Sequence, residues 1–239
     1  LDCLEENNAH ATFFMLGQNV QNYQDDVKRM LELGCEIGNH SWDHANMYEL
    51  SLDSVVKEFN DADQALIDAC GQASTVVRAP YGNANEDIMN AVGKPFFMWS
   101  LDSLDWKYKD VDLDYKSIMQ DNSSVIKDGT IILMHDIHEP SVKAAERIIP
   151  ELINMGFKLV TVSEMAEAKN VTLQNASYNN FWQDILDQGL VPGYAGNSTS
   201  DADTSDGTED SSDGSEDGSG SDGSEDYSDG SEDGSNSSE

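Results

Sequence analysis

Short apolar runs alternate with amphipathic stretches through most of the chain before residue 170. The runs have the length of buried strands, and between them apolar residues recur at three- and four-residue spacing, which predicts helices with one apolar face. Strands that alternate with helices predict parallel pairing, in an open doubly wound sheet or in a barrel. The predicted strands are 11–16, 35–38, 75–78, 96–99, 130–134 and 157–160.

Cap residues predict where several of the helices begin and end. Ser51 is an N-cap for a helix that Gly71 ends, and Gly34 and Gly93 close two others. The face of the Ser51 helix comprises Leu52, Val55, Val56, Phe59 and Leu66, and the stripe of the helix before it comprises Val27, Met30 and Leu31. Further helices are predicted at 85–92, at 115–125, at 141–155 with a break or bend near Pro150, and after a Ser163 cap.

Polar side chains follow the predicted strands. His40 and His44, then Arg78, Asp105 and His135, each come shortly after an apolar run. In parallel α/β folds the chemistry collects at the carboxyl ends of the strands. We therefore expect these side chains to share one site.

Each of these residues also has a simpler explanation when it is taken alone. Two histidines four residues apart lie on one face of a helical turn and can bind one metal ion, but two partly exposed helix histidines are commoner. Ser41 stands where the zinc-protease motif requires Glu, which excludes that class. Without further signals, Arg78 would be a strand-end ion pair and His135 a core histidine. Trp106 would be core and Asp102 a turn or cap residue, and His10 and His138 receive no role.

Composition divides the chain into three parts, 1–170, 171–196 and 197–239. Residues 201 to 239 hold 15 of the 46 acidic residues and no Lys or Arg, so the remainder carries −18 of the formal charge of −33. This charge argues against nucleic acid and against anionic membrane surfaces as partners. The last part repeats Ser, Asp, Gly and Glu and predicts a disordered acidic tail, whereas 171–196 contains Phe181 and Trp182 and predicts a small helix packed on the body.

Other classes of protein lack support in the sequence. No apolar run is long enough to span a membrane, and the three cysteines fit neither a disulfide scaffold nor a zinc ribbon. The chain opens at Leu1 inside an amphipathic helix pattern, without an initiator Met or a cap. We therefore expect the natural N-terminus to be missing.

Four short motifs, in order, resemble the polysaccharide deacetylases with a NodB-homology domain, carbohydrate esterase family 4. The motifs are His40-Ser-Trp-Asp-His44, Arg78-Ala-Pro-Tyr81, Asp102-Ser-Leu-Asp-Trp106 and Leu133-Met-His135, and the resemblance covers residues 1 to about 165. The family's first motif, Thr-Phe-Asp-Asp, supplies its general base and third protein metal ligand, and this sequence does not contain it. The resemblance thus implies an incomplete (β/α) barrel that lacks its first strand.

The resemblance also implies a role for each site residue. His40 and His44 would bind a divalent metal, most consistently Zn²⁺, and the Tyr81 N–H would be an oxyanion donor. His135 would be the general acid, with Asp105 orienting its ring and raising its pKa. The family's counterpart of Arg78 holds the catalytic base in place. Trp106 and Leu133 would line a pocket for the acetyl methyl group.

These roles predict a metal-dependent hydrolase that removes N-acetyl groups from an extracellular polysaccharide such as peptidoglycan or a chitin-like chain. We expect a monomer, at the cell surface or outside the cell, whose partner is the acetylated polysaccharide. Because the first motif is absent, the chain itself should be inactive or nearly so. The alternatives are O-deacetylation of xylan within the same family and a non-catalytic carbohydrate-binding or surface-interaction protein.

Overall fold

The computed structural model describes residues 1–189, in which strands and helices alternate as predicted. The strands are β1 (Thr12–Met15), β2 (Glu36–Asn39), β3 (Phe96–Phe97), β4 (Leu101–Asp102), β5 (Ile132–Leu133) and β6 (Ser177–Tyr178). The α-helices are α1 (Asp2–Glu6), α2 (Gly17–Val20), α3 (Gln24–Glu32), α4 (Leu52–Cys70), α5 (Glu86–Val92), α6 (Asp105–Tyr108), α7 (Val111–Lys116), α8 (Glu139–Asn154), α9 (Val162–Ala168) and α10 (Gln183–Asp187). A π-helical turn, Ser117–Asp121, continues α7. The predicted tail, 197–239, lies outside the described residues.

The paired strands run parallel, as predicted. β1 pairs with β2, β3 with β6 and β4 with β5. Val77 links β2 to β3 through one parallel bridge to Asn39 and another to Phe96. The chain is therefore a mixed α/β fold, while the barrel and its missing strand stay predictions.

Helix α4 shows how local sequence sets an element and its packing. The Ser51 hydroxyl accepts a hydrogen bond from the Ser54 N–H at its start, and Gly71 ends it at φ +85°. Its buried face consists of Val55, Phe59, Ala62, Leu66 and Ala69. Leu52, predicted for this face, is 46% exposed because it lies in the first turn, ahead of the contact with the sheet.

Three further helix boundaries differ from the prediction. α7 begins at Val111 rather than at 115, because the Asp110 carboxylate caps it by accepting from two backbone N–H groups. α8 begins at Glu139 and runs unbroken through Pro150. Thr161 caps α9, in a reciprocal capping box with Glu164, so the prediction of a Ser163 cap is wrong.

Two predicted strands are not formed as such, and two short strands were not predicted. The segment 75–78 is reduced to the bridges at Val77, and 157–160 has no strand ladder, although the Leu159 carbonyl accepts from the His10 N–H at 3.1 Å. β4 and β6 have two residues each and give no periodic signal.

The predicted C-terminal packing is present. Phe181 and Leu186 of the α10 region are fully buried, and Tyr178 stacks between the rings of Phe97 and Phe181 with centroids 5.3 and 5.8 Å away. Gly129 lies against the Phe181 backbone at φ +95°, where an added Cβ would come within 2.2 Å of a carbonyl oxygen. Within residues 1–189, no helix is long and apolar enough to cross a membrane.

Candidate active site

The predicted site residues lie just beyond the carboxyl ends of strands or bridges of the sheet. His40 comes directly after β2, Arg78 after the Val77 bridges and His135 two residues after β5. Asp105 begins α6, shortly after β4. Contacts described below join His40, Arg78 and His44 into one group and Asp105 and His135 into another, and both groups follow carboxyl ends of strands.

His40 is held as a neutral imidazole with one nitrogen free. Its Nδ1 lies 2.8 Å from the Arg78 carbonyl oxygen, so Nδ1 carries the proton and donates it. Burial lowers the pKa of His40 to about 3, against the opposing effect of this hydrogen bond, and the charges of His44 and Arg78 lower it further. The unprotonated Nε2 is therefore available as a ligand across the neutral range.

His44 lies beside His40 in a loop, not on a helical turn. The two ring centroids are 5.0 Å apart, and the planes meet at 72°. Ser41 and His44 have φ values of +70° and +71°, which a helix excludes, so the prediction of a helical pair is wrong. The Ser41 hydroxyl accepts from the His44 N–H at 3.2 Å and holds the loop closed. Burial, followed by the charge of His135, lowers the pKa of His44.

A buried asparagine that the sequence did not single out supports this loop. The Asn39 side-chain oxygen accepts from the Ser41 N–H at 2.8 Å, and its amide group donates to the Phe59 carbonyl and to Asp63 at 2.7 and 2.9 Å. Asp63 also forms an ion pair with Lys94. Asn39 is fully buried and, by these contacts, holds a backbone conformation that is costly for a non-glycine residue.

The second pair in the site consists of Asp105 and His135. Asp105 is fully buried, and its Oδ1 lies 2.8 Å from His135 Nδ1 while its Oδ2 accepts from the His135 N–H at 2.6 Å. Burial alone would raise the pKa of Asp105, but the hydrogen bonds and positive charge of His135 outweigh it and lower that pKa. The ring is thereby fixed with Nε2 directed away from the carboxylate, as an acid–base group requires.

Arg78 is buried without a carboxylate partner among residues 1–189. Its Nε and Nη2 donate to the carbonyls of Phe97 and Met98 at 2.8 and 3.0 Å, and the guanidinium lies 4.2 Å from the Phe14 ring centroid. Burial lowers the pKa of Arg78 to about 10. Within residues 1–189 the strand-end ion pair considered from the sequence is not formed. There the guanidinium is surrounded by the two carbonyls and by the rings of Phe14 and Trp99.

Three further site residues differ in their exposure. Tyr81 is 65% exposed at φ +58°, with its ring centroid 4.6 Å from that of His44, so it borders the histidine pair. Trp106 is 51% exposed, which excludes the core role considered for it. Leu133 is buried in β5 opposite Asp102, whose carboxylate accepts from the Leu104 N–H as a turn residue.

The histidine pair fits part of a metal centre. The free Nε2 of His40 and the adjacent neutral ring of His44 suit a zinc-like ion, whose catalytic sites usually have three protein ligands. Among the described residues, no group of three His, Cys, Asp or Glu side chains comes together. The third ligand is therefore not found in residues 1–189.

Comparison with known proteins gives the class of this fold and site. A family model for polysaccharide deacetylase matches residues 1–95. The peptidoglycan-N-acetylmuramic acid deacetylase PdaC of Bacillus subtilis is 39% identical over 169 residues, which are 71% of this chain and 35% of that protein. This chain thus spans about a third of the length of that relative.

Solved structures agree with the sequence comparison. The structure of PdaC superposes with a TM-score of 0.67 at 37% identity, covering 71% of this chain and 82% of the solved one. A family 4 acetyl xylan esterase from Clostridium thermocellum, solved with a cobalt ion, superposes at 0.69 with 29% identity, covering 75% and 89% of the two chains. The fold is that of the NodB-type deacetylases. This chain belongs to the polysaccharide deacetylase family.

Proposed function

We propose that this chain carries the metal-binding histidines and the general acid of a deacetylase that hydrolyses N-acetyl groups on an extracellular polysaccharide, such as peptidoglycan or a chitin-like chain. The observation that carries the proposal is the division of the site into two histidine environments. His40 is held neutral with a free nitrogen, and His135 is bonded to a buried carboxylate.

His40 and His44 would hold a divalent ion, most consistently Zn²⁺. When bound, such an ion activates a water molecule and polarises the acetyl carbonyl. The bond from His40 to the Arg78 carbonyl fixes the ring orientation. The Asn39 contacts hold the loop that carries both rings.

His135 would deliver the proton that the departing amine needs. The Asp105 carboxylate, 2.8 Å away, favours the imidazolium and keeps the proton-bearing Nε2 turned toward the site. The Tyr81 backbone N–H would donate to the oxyanion. Trp106, half exposed near the same strand ends, would border the acetyl pocket together with Leu133.

Arg78 would bind a carboxylate that is not among the described residues. Its guanidinium is buried and lacks a counter-ion within 1–189. Family resemblance gives that carboxylate the role of general base. A chain without it should release acetate slowly, even though its metal and acid residues are in place.

Two measurements test the proposal. The first is zinc binding by equilibrium dialysis. His40→Ala and His44→Ala should remove the bound ion, whereas His135→Ala and the control His138→Ala should retain it, because neither is a ligand. Loss of zinc in His135→Ala together with retention in His44→Ala would contradict the assignment of roles.

The second measurement is acetate release from acetylated chito-oligosaccharides. Without added components this chain should be nearly inactive. A version that supplies the Asp-bearing first motif should be active and lose about a hundred- to ten-thousand-fold in rate on His135→Ala. Absence of activity in that version, with zinc bound, would favour the carbohydrate-binding alternative.

Xylan O-deacetylation remains the second candidate, because a structural neighbour is an acetyl xylan esterase. An alkoxide leaves more readily than an amine anion, so ester cleavage should depend less on the general acid. His135→Ala should therefore slow the hydrolysis of acetylated xylan less than that of chito-oligosaccharides. An equal loss of rate on both substrates would contradict this difference in dependence on the general acid.

A further inference from the structure

Two buried polar side chains, one in α7 and one in α8, form no hydrogen bond of normal length with any described residue. Helices α7 and α8 pack against each other, and between them lie Asp114 of α7 and Ser141 of α8. Asp114 is fully buried, and Ser141 is 1% exposed. Both carboxyl oxygens of Asp114 and the hydroxyl of Ser141 are without a partner among the described residues.

A charged carboxylate in this place would be costly. Desolvation of an unpaired ion costs several kcal/mol, and such a group usually becomes neutral instead. Burial raises the pKa of Asp114, and the negative charges of Asp105 and Asp110 raise it further, while a backbone hydrogen bond at Asp110 and the charge of His138 oppose them. The surroundings of Asp114 thus favour its uncharged form.

The unpartnered pair lies next to the carboxylate that orients the general acid. The Ser141 hydroxyl is near enough to Asp105 to lower the pKa of that carboxyl, and the charge of Asp105 raises the pKa of Asp114. Asp105 already accepts from the His135 ring, from the His135 N–H and from the Trp106 N–H. Its two oxygens offer about four acceptor positions, so one more donor can be accommodated.

We propose that Asp114 is a positioning residue for the general-acid pair, held as an uncharged carboxylic acid that, with the Ser141 hydroxyl, completes the hydrogen bonding behind Asp105. Its O–H supplies a donor through one buried water, where a second carboxylate would repel Asp105. Asp105 then remains the negative charge that bonds to the His135 ring. This inference rests on the proposed role of His135.

The protonation of Asp114 can be measured on the unaltered chain. The side-chain carboxyl carbons of a ¹³C-labelled protein are followed by NMR as the pH is raised, and Asp114→Asn assigns the signal. Asp114 should keep its proton at pH values above the ordinary range of an aspartate carboxyl. Titration of Asp114 at about the ordinary aspartate value of 3.9 would overturn the proposal.

The effect on the general acid is measured through the ring signals of His135 in metal-free protein, which needs no acetate release. Asp114→Asn keeps an uncharged donor of the same shape, so the pKa of His135 should not move. Asp114→Leu removes the donor, which leaves Asp105 more basic and should raise the pKa of His135 by up to about one unit. Ser141→Ala should shift it in the same direction.

The control is Asp112→Asn on the same helix, where the carboxylate is exposed and pairs with Arg147. It removes one formal charge from α7 and should leave the His135 titration unchanged. A fall of the His135 pKa in Asp114→Asn but not in Asp112→Asn would show that Asp114 is a second anion, contrary to the proposal. Identical His135 titrations in Asp114→Asn, Ser141→Ala and a folded Asp114→Leu would reduce Asp114 to a packing residue.

If zinc binding fails, or if the version that supplies the first motif releases no acetate, the proposed function fails, yet these NMR shifts can still be observed. If the shifts fail while His135→Ala still slows turnover, only the role of Asp114 is lost. The two outcomes are therefore separable.

Discussion

His40 and His135 are chemically alike but are placed in opposite electrostatic surroundings. His40 donates to a backbone carbonyl in a buried position, and the charge of a neighbouring arginine opposes its protonation. His135 bonds to a buried carboxylate, which supports a proton on the ring. The nature of the Nδ1 partner, a neutral carbonyl or an anion, thus separates a candidate ligand from a candidate acid.

Asp105→Asn should alter how stability depends on pH. The folded chain holds the pKa of Asp105 below its usual value, so the carboxylate contributes stability above its unfolded pKa of about 3.9 and loses it as the pH falls through the folded value. Below about pH 4, the unfolding free energy of the parent chain should therefore fall more steeply than that of the variant. Urea denaturation between pH 7 and pH 3 measures this difference.

Asp112→Asn is the matched control, because its carboxylate is 86% exposed. Below about pH 4, the unfolding free energy of Asp112→Asn should fall with pH about as steeply as that of the parent chain. Parallel curves for the parent and Asp105→Asn would mean that the bond to His135 adds nothing to the folded state.

At the scale of elements, the loop after β2 depends on a side chain that lies inside the strand. The Asn39 side-chain amide donates to Phe59 and Asp63 of α4, and its side-chain oxygen accepts from the Ser41 N–H of the loop. These bonds connect the loop to α4. The strain at Ser41 and His44 is thus offset by three hydrogen bonds in the interior.

Asn39→Ala should lower the unfolding free energy by about 1–3 kcal/mol, because the variant leaves the Phe59 carbonyl without this donor and the buried Ser41 N–H without its acceptor. It should also weaken zinc binding, since the loop that carries both histidines loses its support. Asn60→Ala, at an exposed position of α4, should stay within about 0.5 kcal/mol of the parent. Chemical denaturation measures the loss of overall stability, and dialysis measures the loss of zinc affinity. Unchanged zinc affinity in Asn39→Ala would refute the supporting role of Asn39.

Gly129→Ala should disrupt the packing of the Phe181 backbone, next to α10, against Gly129. An added Cβ would meet the Phe181 backbone at 2.2 Å, in addition to the strain of a positive φ. Gly71 has a similar φ of +85° with nothing within 4 Å, so Gly71→Ala carries the strain without the collision. We expect Gly129→Ala to lower the unfolding free energy clearly more than the roughly 1 kcal/mol of Gly71→Ala. Equal losses would show that Phe181 can move aside.

Elements with strong local signals were predicted well, and those defined by distant partners were not. Ser51 and Gly71 bound α4 because capping is a property of a few neighbouring residues. β4 and β6 exist because their two residues pair with β5 and β3, which no local periodicity reveals. The helical placement of His40 and His44 failed for a related reason: the spacing fits a turn, but the loop is set by Asn39 and its contacts 20 and more residues away.

Short motifs named the candidate site residues, while the side chains that support them gave no signal. The structure bonds His40 to the Arg78 carbonyl and His135 to Asp105, and the roles of these residues stay predictions. Asn39 and Asp114 gave no signal, because a buried polar residue is recognised only when its surroundings are known.

At the scale of the whole molecule, negative charge is unevenly distributed along the chain. The acidic repeats from 201 onward carry no Lys or Arg and few apolar residues. Such a composition favours solvation over docking. At physiological salt, repulsion between this segment and the acidic remainder is screened beyond about 8 Å.

Deletion of 197–239 should therefore leave the melting temperature unchanged in 0.15 M salt. Circular dichroism on the full and shortened chains measures it. A drop of more than about 4 °C, equivalent to roughly 1 kcal/mol or more, would mean that the acidic segment packs on the rest. Repeating the comparison at 1 M salt is the control for repulsion, which that salt largely removes.

The strand β1 is joined to a segment that the ribosome makes about 150 residues later. Thr12 accepts from the Val162 N–H, the His10 N–H donates to the Leu159 carbonyl, and the His10 ring bonds to Glu164. Closing so long a loop costs entropy before any of these contacts forms, and folds rich in distant pairings reach their native state slowly. The first strand must therefore remain incompletely covered during synthesis until α9 has emerged. The order of translation, and not only the final contacts, should govern how much of this chain escapes aggregation in the cell.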